Sequence, residues 1–375
     1  CLAEDKAAGD ALVVHGLFAK TAPRPAVVAA VDTNLPLKIK PGARIAFIGN
    51  TLFERAQQYG HFEAMLHQYF PQHRIVARNL AWSADTIDVQ PRPENFADIE
   101  QHLYHEKIDI IFAAFGFNES FADEAGLEDF REKLSAYLGR LKTLAFNGQA
   151  GPQIVLVSPI ANENVRQVTA ADLNNRRLAL YVELMRQVAA EQRVGFADVF
   201  GKTLTAAESP GSDVTTNGCH LNELGNWIFS SALFEATLAD VPLPINERLR
   251  EAIIDRDQQY QRRYRPLNTF YYTGGRNKDY GYLDFLPAMR NFDQMVANRD
   301  QRIWAIAAGK AVPEVVDDSN LMPLPPVDES RGANEWLSPA DELKAFRVDP
   351  RFEVNLFASE EQFPEIANPI QMRWD

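Results

Sequence analysis

Four short polar clusters, widely separated in the 375-residue chain, hold the residue types from which nucleophiles, general bases and fixed hydrogen-bond donors are drawn. They are Gly49-Asn50-Thr51, Asn79 to Thr86, Gly116 to Ser120, and Asn217 to Asn222, the last with Cys219 and His220 side by side. Three of the clusters also have a purely local reading. Gly-Asn-Thr after a strand makes a turn and a helix N-cap, His220 before Leu-Asn-Glu-Leu-Gly sits at a helix entry, and Gly-Phe-Asn-Glu-Ser closes a strand. A Cys219/His220 couple is the weaker idea, because neighbours along a chain rarely point at one another. The clusters gain weight only if the fold gathers them.

The elements between them suggest that it does. Arg44 to Gly49 is a short apolar run ending in Gly, followed by an amphipathic stretch from Phe53 to Tyr69, so a strand, a turn and a helix are expected. The alternation continues with strands at His73 to Asn79, Ile108 to Phe115, Gln153 to Val157 and Val194 to Val199. Helices are expected at Leu127 to Ala145, Ala170 to Gln192 and Asn222 to Ala239. A βαβα order implies an α/β fold, a three-layer flavodoxin-like parallel sheet with helices on both faces. Such sheets bind ligands at the carboxyl ends of their strands, where the polar clusters and a further one at Ser158 to Asn164 fall.

The expected organisation is a leader or edge segment over 1–40, the α/β domain over 41–241, a helical extension over 242–311, a linker over 312–345 and the start of another domain over 346–375. The extension holds charged Asn246 to Arg265, an aromatic Phe270 to Tyr282 and a helix near Leu286 to Ala308. The linker is rich in Pro, Asp and Ser, and Phe352 to Phe357 reads as a first strand.

With a formal net charge of −13 and no basic run longer than Arg262-Arg263, a small neutral or sugar-like ligand fits better than a nucleic-acid partner. No run of 18 apolar residues occurs, so no transmembrane helix is expected. Cys1 and Cys219 make neither a disulfide framework nor a CxxC or haem-attachment motif, and no metal or cofactor is expected. Cys1 standing first fits either a lipid-anchored exported protein or an excerpt from a longer chain.

The four clusters together resemble the blocks of SGNH (GDSL-like) hydrolases. Phe47-Ile48-Gly49-Asn50-Thr51 is similar to the first block, normally Gly-Asp-Ser, and Asn79 to Thr86 to the second, normally Asn-x-Gly-x-Ser-Gly-Asp-Thr. Gly116-Phe117-Asn118-Glu119 resembles Gly-x-Asn-Asp, and Asn217 to Asn222 resembles Asp-x-x-His-Leu-Asn. The resemblance implies ester hydrolysis, with Thr51 as nucleophile, His220 as general base and Asn217 in place of the acid that orients it. Asn118 with the Thr51 and Ala84 amides would form the oxyanion hole, and Asn50, Gly116 and Glu119 would complete the substrate-binding set. An acetyl or similar ester of a carbohydrate is the implied substrate.

Thr51 keeps a hydroxyl but adds a methyl that stiffens the rotamer. Ala84 replaces a glycine harmlessly unless the backbone needs positive φ. Asn217 is the costly change, since an amide cannot stabilise an imidazolium, and Asp213 or Glu223 are the carboxylates that could stand in. The rival reading is an inactive SGNH-fold domain that binds glycan or braces a neighbour. Residues 298–305 and 352–375 resemble large exported planctomycete proteins in which an SGNH domain precedes a β-propeller and a c-type haem domain. That implies export, further domains, and a third reading as accessory to a redox module. Phe53, Trp82, Phe117 and Phe121 are candidates for stacking on sugar rings, or for the core.

Overall fold

The computed structural model describes residues 16–166, 169–265, 286–324 and 337–364, in two units that divide after Pro325. In the first unit, strands β1 (Arg44–Gly49), β2 (Val76–Asn79), β3 (Ile110–Ala114), β4 (Gln153–Val157) and β5 (Gly195–Ala197) form one parallel sheet in the order β2-β1-β3-β4-β5. The register sets Phe47 beside Asn79 and Gly49 beside Ala114. The strand order reverses between β1 and β3, so a crevice opens beyond the carboxyl ends of those two strands.

The strands are apolar on both faces because both are covered. On one face Phe47, Phe112 and Val155 pack with α1 (Thr51–Ala56), α2 (His61–Tyr69) and α7 (Glu223–Leu238), through Phe53, Phe62, Met65 and Phe229. On the other, Ile48, Ile111, Ala113 and Leu156 meet α3 (Ile99–His105), α4 (Leu127–Leu141) and α5 (Ala171–Gln192), through Leu103, Phe130, Leu138 and Met185. Alternate residues of one strand thus serve opposite cores. A short helix, α6 (Phe200–Ala207), follows β5. This is the flavodoxin-like order expected from the sequence, and a helical extension follows it in α8 (Glu247–Tyr264) and α9 (Leu286–Ala307).

Several element boundaries differ from expectation. The stretch from Phe53 to Tyr69 is two helices, because Gly60 takes φ 65 and lies close against α8, where an added Cβ would come within 3.3 Å of the Arg250 carbonyl oxygen. Strand β2 begins only at Val76, since Arg74 at φ 49 breaks extended backbone. Helices α3 and α6 had no counterpart in the expected order; α3 opens on a capping box in which Asp98 accepts from the Gln101 amide at 3.0 Å and Gln101 answers at 3.1 Å.

Ahead of β1, Val28 donates to Thr143 O and Thr33 to Arg193 O, and the Thr33 hydroxyl accepts from the Ile154 amide at 2.8 Å. Residues 312–324, within the Pro-rich stretch, run along α9, where Arg299 pairs with Asp318 at 3.0 Å. Cys1 and Phe270 to Tyr282 lie outside the described residues.

A buried ionic network fastens the extension to the sheet. Arg78 of β2 reaches Asp300 of α9 at 2.6 Å, and Arg256 of α8 reaches Asp300 at 3.0 Å and Asp257 at 2.8 Å and pairs with Glu63 of α2. Tyr260 donates to Glu106 at 3.0 Å. Burial would raise the Glu106 carboxyl, but Arg78, His105 and Arg44 overcome it and hold it at about 2. Burial pushes the other way on Asp257, which is raised well above the carboxylate range despite Arg256.

The second unit is described by itself. It holds α10 (Pro339–Ala345), begun by Ser338, whose hydroxyl accepts from the Asp341 amide at 3.2 Å. Phe352 to Phe357, expected as a strand, is irregular, and no strand lies among the described residues of this unit to pair with it.

Candidate active site

The turn after β1 is dictated by Gly49. At φ 115, an added Cβ would stand 2.0 Å from the Ala114 carbonyl oxygen, so β1 and β3 approach this closely only with glycine there. Asn50 is the N-cap of α1, its Oδ1 accepting from the Leu52 amide at 3.1 Å. The cap is therefore taken, and Thr51 at the next position is released from it. Instead the Thr51 hydroxyl accepts the Ala84 amide at 3.0 Å.

The loop after β2 is held by donors on three sides. Trp82 N–H donates to Gly49 O at 3.0 Å, and the Asn79 side chain donates to Phe53 O at 2.6 Å while accepting from Ala81 at 3.1 Å. Asp85 takes Arg92 in a two-point pair at 2.6 and 2.9 Å, with Arg92 stacked over the Trp82 ring. This fixes Ala84 at φ 63, a conformation that costs an L-residue about 1–2 kcal/mol. The sequence left Ala84 harmless only if its backbone did not need positive φ, and here it does: the position takes the left-handed backbone that glycine adopts freely.

The loop after β3 begins at Gly116, φ 94, with Met185 pressed against it. Its N–H donates to Glu119 Oε2 at 2.9 Å, and Glu119 Oε1 accepts from Ile87 at 3.0 Å. Burial pushes the Glu119 carboxyl up, though these amides oppose the shift. Gly116 and Glu119 thus bind the β3 loop to the β2 loop; neither lines the cavity described below. Asn118 does line it, and its amide donates to Ala84 O at 3.1 Å.

His220 lies on the loop before α7. The Asn217 side chain faces His220 Nδ1 with its nitrogen at 2.9 Å and its oxygen at 3.1 Å, and the same oxygen accepts the His220 amide at 3.0 Å. An Nδ1 proton given to the oxygen leaves Nε2 free as a base; acceptance from the nitrogen puts the proton on Nε2. The amide admits both tautomers. Burial first, and then the Arg55 charge, lower the His220 pKa against the opposing pull of Glu54. Asp213 is hydrogen-bonded to Asn222 at 3.2 Å, and Glu223 pairs with His61 at 2.9 Å and Arg250 at 3.2 Å, so neither carboxylate serves His220.

The loop itself hangs from Glu163. This carboxylate accepts from Ser212 Oγ at 2.6 Å, from the Val214 and Thr215 amides at 3.1 and 2.9 Å, and from Thr215 Oγ1 at 2.5 Å. Burial would raise it, but those hydroxyls and amides hold it below the usual range. Glu163 had no assigned role from the sequence. Its only signal was membership of the polar cluster after β4, because its partners lie about fifty residues on.

Asn50, Thr51, Asn118, Cys219 and His220, from three separate loops, line one cavity of about 80 Å³ with Arg55, Tyr59, Ile160 and Leu221. That is the room of a short acyl group. No hydrogen bond joins Thr51 to His220. Cys219 Sγ lies 3.7 Å from His220 Nδ1, and burial raises its thiol pKa. Phe53 is core, Trp82 is clamped between Arg92 and Arg265, and Phe117 meets the more exposed Phe121 edge to face.

A parallel sheet of this order, with a hydroxyl, an amide and an imidazole on one cavity at its switch point, is the architecture of a GDSL-type hydrolase domain. Residues 46–228 match the family of GDSL-like lipases and acylhydrolases. Among curated proteins there is no match. Solved structures that resemble the chain include Axe2, an acetylxylan esterase from Geobacillus stearothermophilus, at 18% identity over 53% of this chain and 96% of that one, with a TM-score of 0.41. They also include BT4096, a gut microbial diltiazem-metabolizing enzyme, at 15% identity over 54% of this chain and 48% of that one, with a TM-score of 0.43.

Proposed function

We propose that the domain hydrolyses esters of short acyl groups, with an acetyl ester of a carbohydrate as the type substrate. The observation that carries the reading is the convergence of Thr51, Asn118 and His220 on one small cavity. Thr51 Oγ1 attacks the ester carbonyl carbon and its proton passes to His220 Nε2, which then delivers it to the departing alcohol oxygen. Water, deprotonated by His220, releases the acid from Thr51. The Thr51 and Ala84 amides and the Asn118 amide stabilise the oxyanion, so the Ala84 N–H must leave the hydroxyl it now holds. That exchange, with an uncharged Asn217, implies slow turnover.

A second reading, a domain that binds such ligands without cleaving them, is favoured by the absence, among the described residues, of a carboxylate hydrogen-bonded to His220 and of a Thr51 to His220 hydrogen bond. Hydrolysis of p-nitrophenyl acetate and of acetylated xylan, beside Thr51→Ala and His220→Ala, separates the two. Turnover lost in both variants supports the esterase. Wild-type rates equal to those of folded variants overturn it and leave the binding domain.

A further inference from the structure

Among the described residues Arg55 is the one charged side chain on the wall of the cavity, and no Asp or Glu lines it. Its Nε is sealed from solvent without a hydrogen-bond partner, and among the described residues no ion pair or hydrogen bond engages its guanidinium. Arg44, Arg78, Arg92, Arg256 and Arg299 by contrast are all paired. The adjacent Glu54, the obvious local partner, is drawn away to Arg265 at 3.2 Å. An arginine whose Nε is buried and unpaired carries a desolvation cost that a carboxylate would offset. The rest of the wall offers apolar contact from Leu52, Ile160 and Leu221. In a chain of net charge −13, a lone cation inside the cavity is a local selection, not a general attraction.

We infer that this cavity is built for esters whose acyl group ends in a carboxylate, which Arg55 binds by charge-assisted hydrogen bonds; the inference rests on the esterase reading above. The reaction is ordinary hydrolysis: for monoethyl succinate, water is added across the acyl–oxygen bond to give succinate and ethanol. The bound carboxylate has a second effect. Arg55 disfavours the protonated imidazole of His220, and an anion paired with Arg55 cancels that opposition, supplying from the substrate part of the negative charge that Asn217 lacks.

Two measurements test this on the full chain. In the first, kcat/KM for monoethyl succinate is compared with that for ethyl butyrate, which carries a methyl where the other carries its carboxylate. The wild type should prefer the succinate ester about 10- to 100-fold, the weight of a charge-assisted bond. Arg55→Gln should lose the preference and Arg55→Lys keep part of it. In the second, the His220 imidazole is titrated by NMR with and without succinate, which should raise its pKa in the wild type and not in Arg55→Gln. The charged and titratable groups around His220 are Arg55, Glu54, Cys219 and Tyr59, beside the uncharged Asn217, and only Arg55 changes between the two proteins. Ester turnover with no preference for the succinate ester, or a preference that survives Arg55→Gln, overturns the anion site and leaves the esterase. Arg55-dependent succinate binding without turnover of any ester overturns the esterase and leaves the anion site.

Discussion

Asn217→Asp should convert a slow hydrolase into a faster one. The Asn217 side-chain oxygen lies 3.1 Å from His220 Nδ1 and also accepts the His220 amide, so a carboxylate fits the same place and keeps that anchor. Removing the side-chain nitrogen leaves only the tautomer with the proton on Nδ1, which frees Nε2. Two unit charges at that distance attract by about 1.3 kcal/mol in a water-like medium and about 5.4 kcal/mol at an effective dielectric of 20. These bracket rate gains of about tenfold to about 10⁴-fold, the upper figure matching the loss seen when a buried triad Asp becomes Asn. Asn217 is exposed, so the lower part of the range applies, and a gain of about 10- to 100-fold in kcat is expected.

The pH profile gives an independent sign. In the wild type the His220 pKa is lowered, so the neutral base persists below the ordinary imidazole range. The new carboxylate favours the imidazolium, so the acidic limb of kcat/KM should move to higher pH. The assay is p-nitrophenyl acetate hydrolysis from pH 4 to 9, repeated in the Asn217→Asp/Thr51→Ala double variant. A folded single variant no faster than wild type, or a gain that survives loss of Thr51, would refute the reasoning.

Three further outcomes follow from the fold. Ala84→Gly should relieve the strained backbone, worth about 1–2 kcal/mol, against about 0.4–1 kcal/mol of added unfolded-state entropy, so denaturant unfolding should show a net gain of about 0.5–1 kcal/mol. Asp300→Asn leaves Arg78 and Arg256 short of a buried counter-charge and should cost about 3–5 kcal/mol. Burial would raise the Asp300 carboxyl, but Arg78 and Arg256 hold it low, so its contribution is present above the unfolded value and fades as pH falls through the folded one. The variant should therefore lose part of the acid dependence of unfolding. Glu119→Gln removes one of two acceptors for the Ile87 and Gly116 amides and should cost about 1–3 kcal/mol, read out as faster hydrogen exchange at those amides.

The sheet and the four polar clusters could be read from the chain because both depend on local pattern. An apolar run ending in Gly states a strand and its turn, and Gly49 could not be replaced where β1 meets Ala114. What escaped is set by contacts between distant residues. The demand for left-handed backbone at Ala84 comes from its surrounding loop hydrogen bonds, not from its own neighbours in sequence. Glu163 acts through a loop about fifty residues away, and Arg78 meets Asp300 across 222 positions. Arg55 resembles any exposed helical arginine until the cavity wall is assembled around it. The break at Gly60 was visible as a glycine, but its reason, the close passage of α8, was not.

The charges buried between β2, α2, α8 and α9 also decide where this polypeptide can be cut. A fragment ending at residue 228, the limit of the family match, or at 241 would carry Arg78, Glu63 and Glu106 on a surface stripped of Asp300, Arg256 and Tyr260. Expression or recombination that treats the family core as a movable module would inherit that exposed, mismatched face, with aggregation as its consequence. The smallest segment fit for transfer to another protein runs past α9.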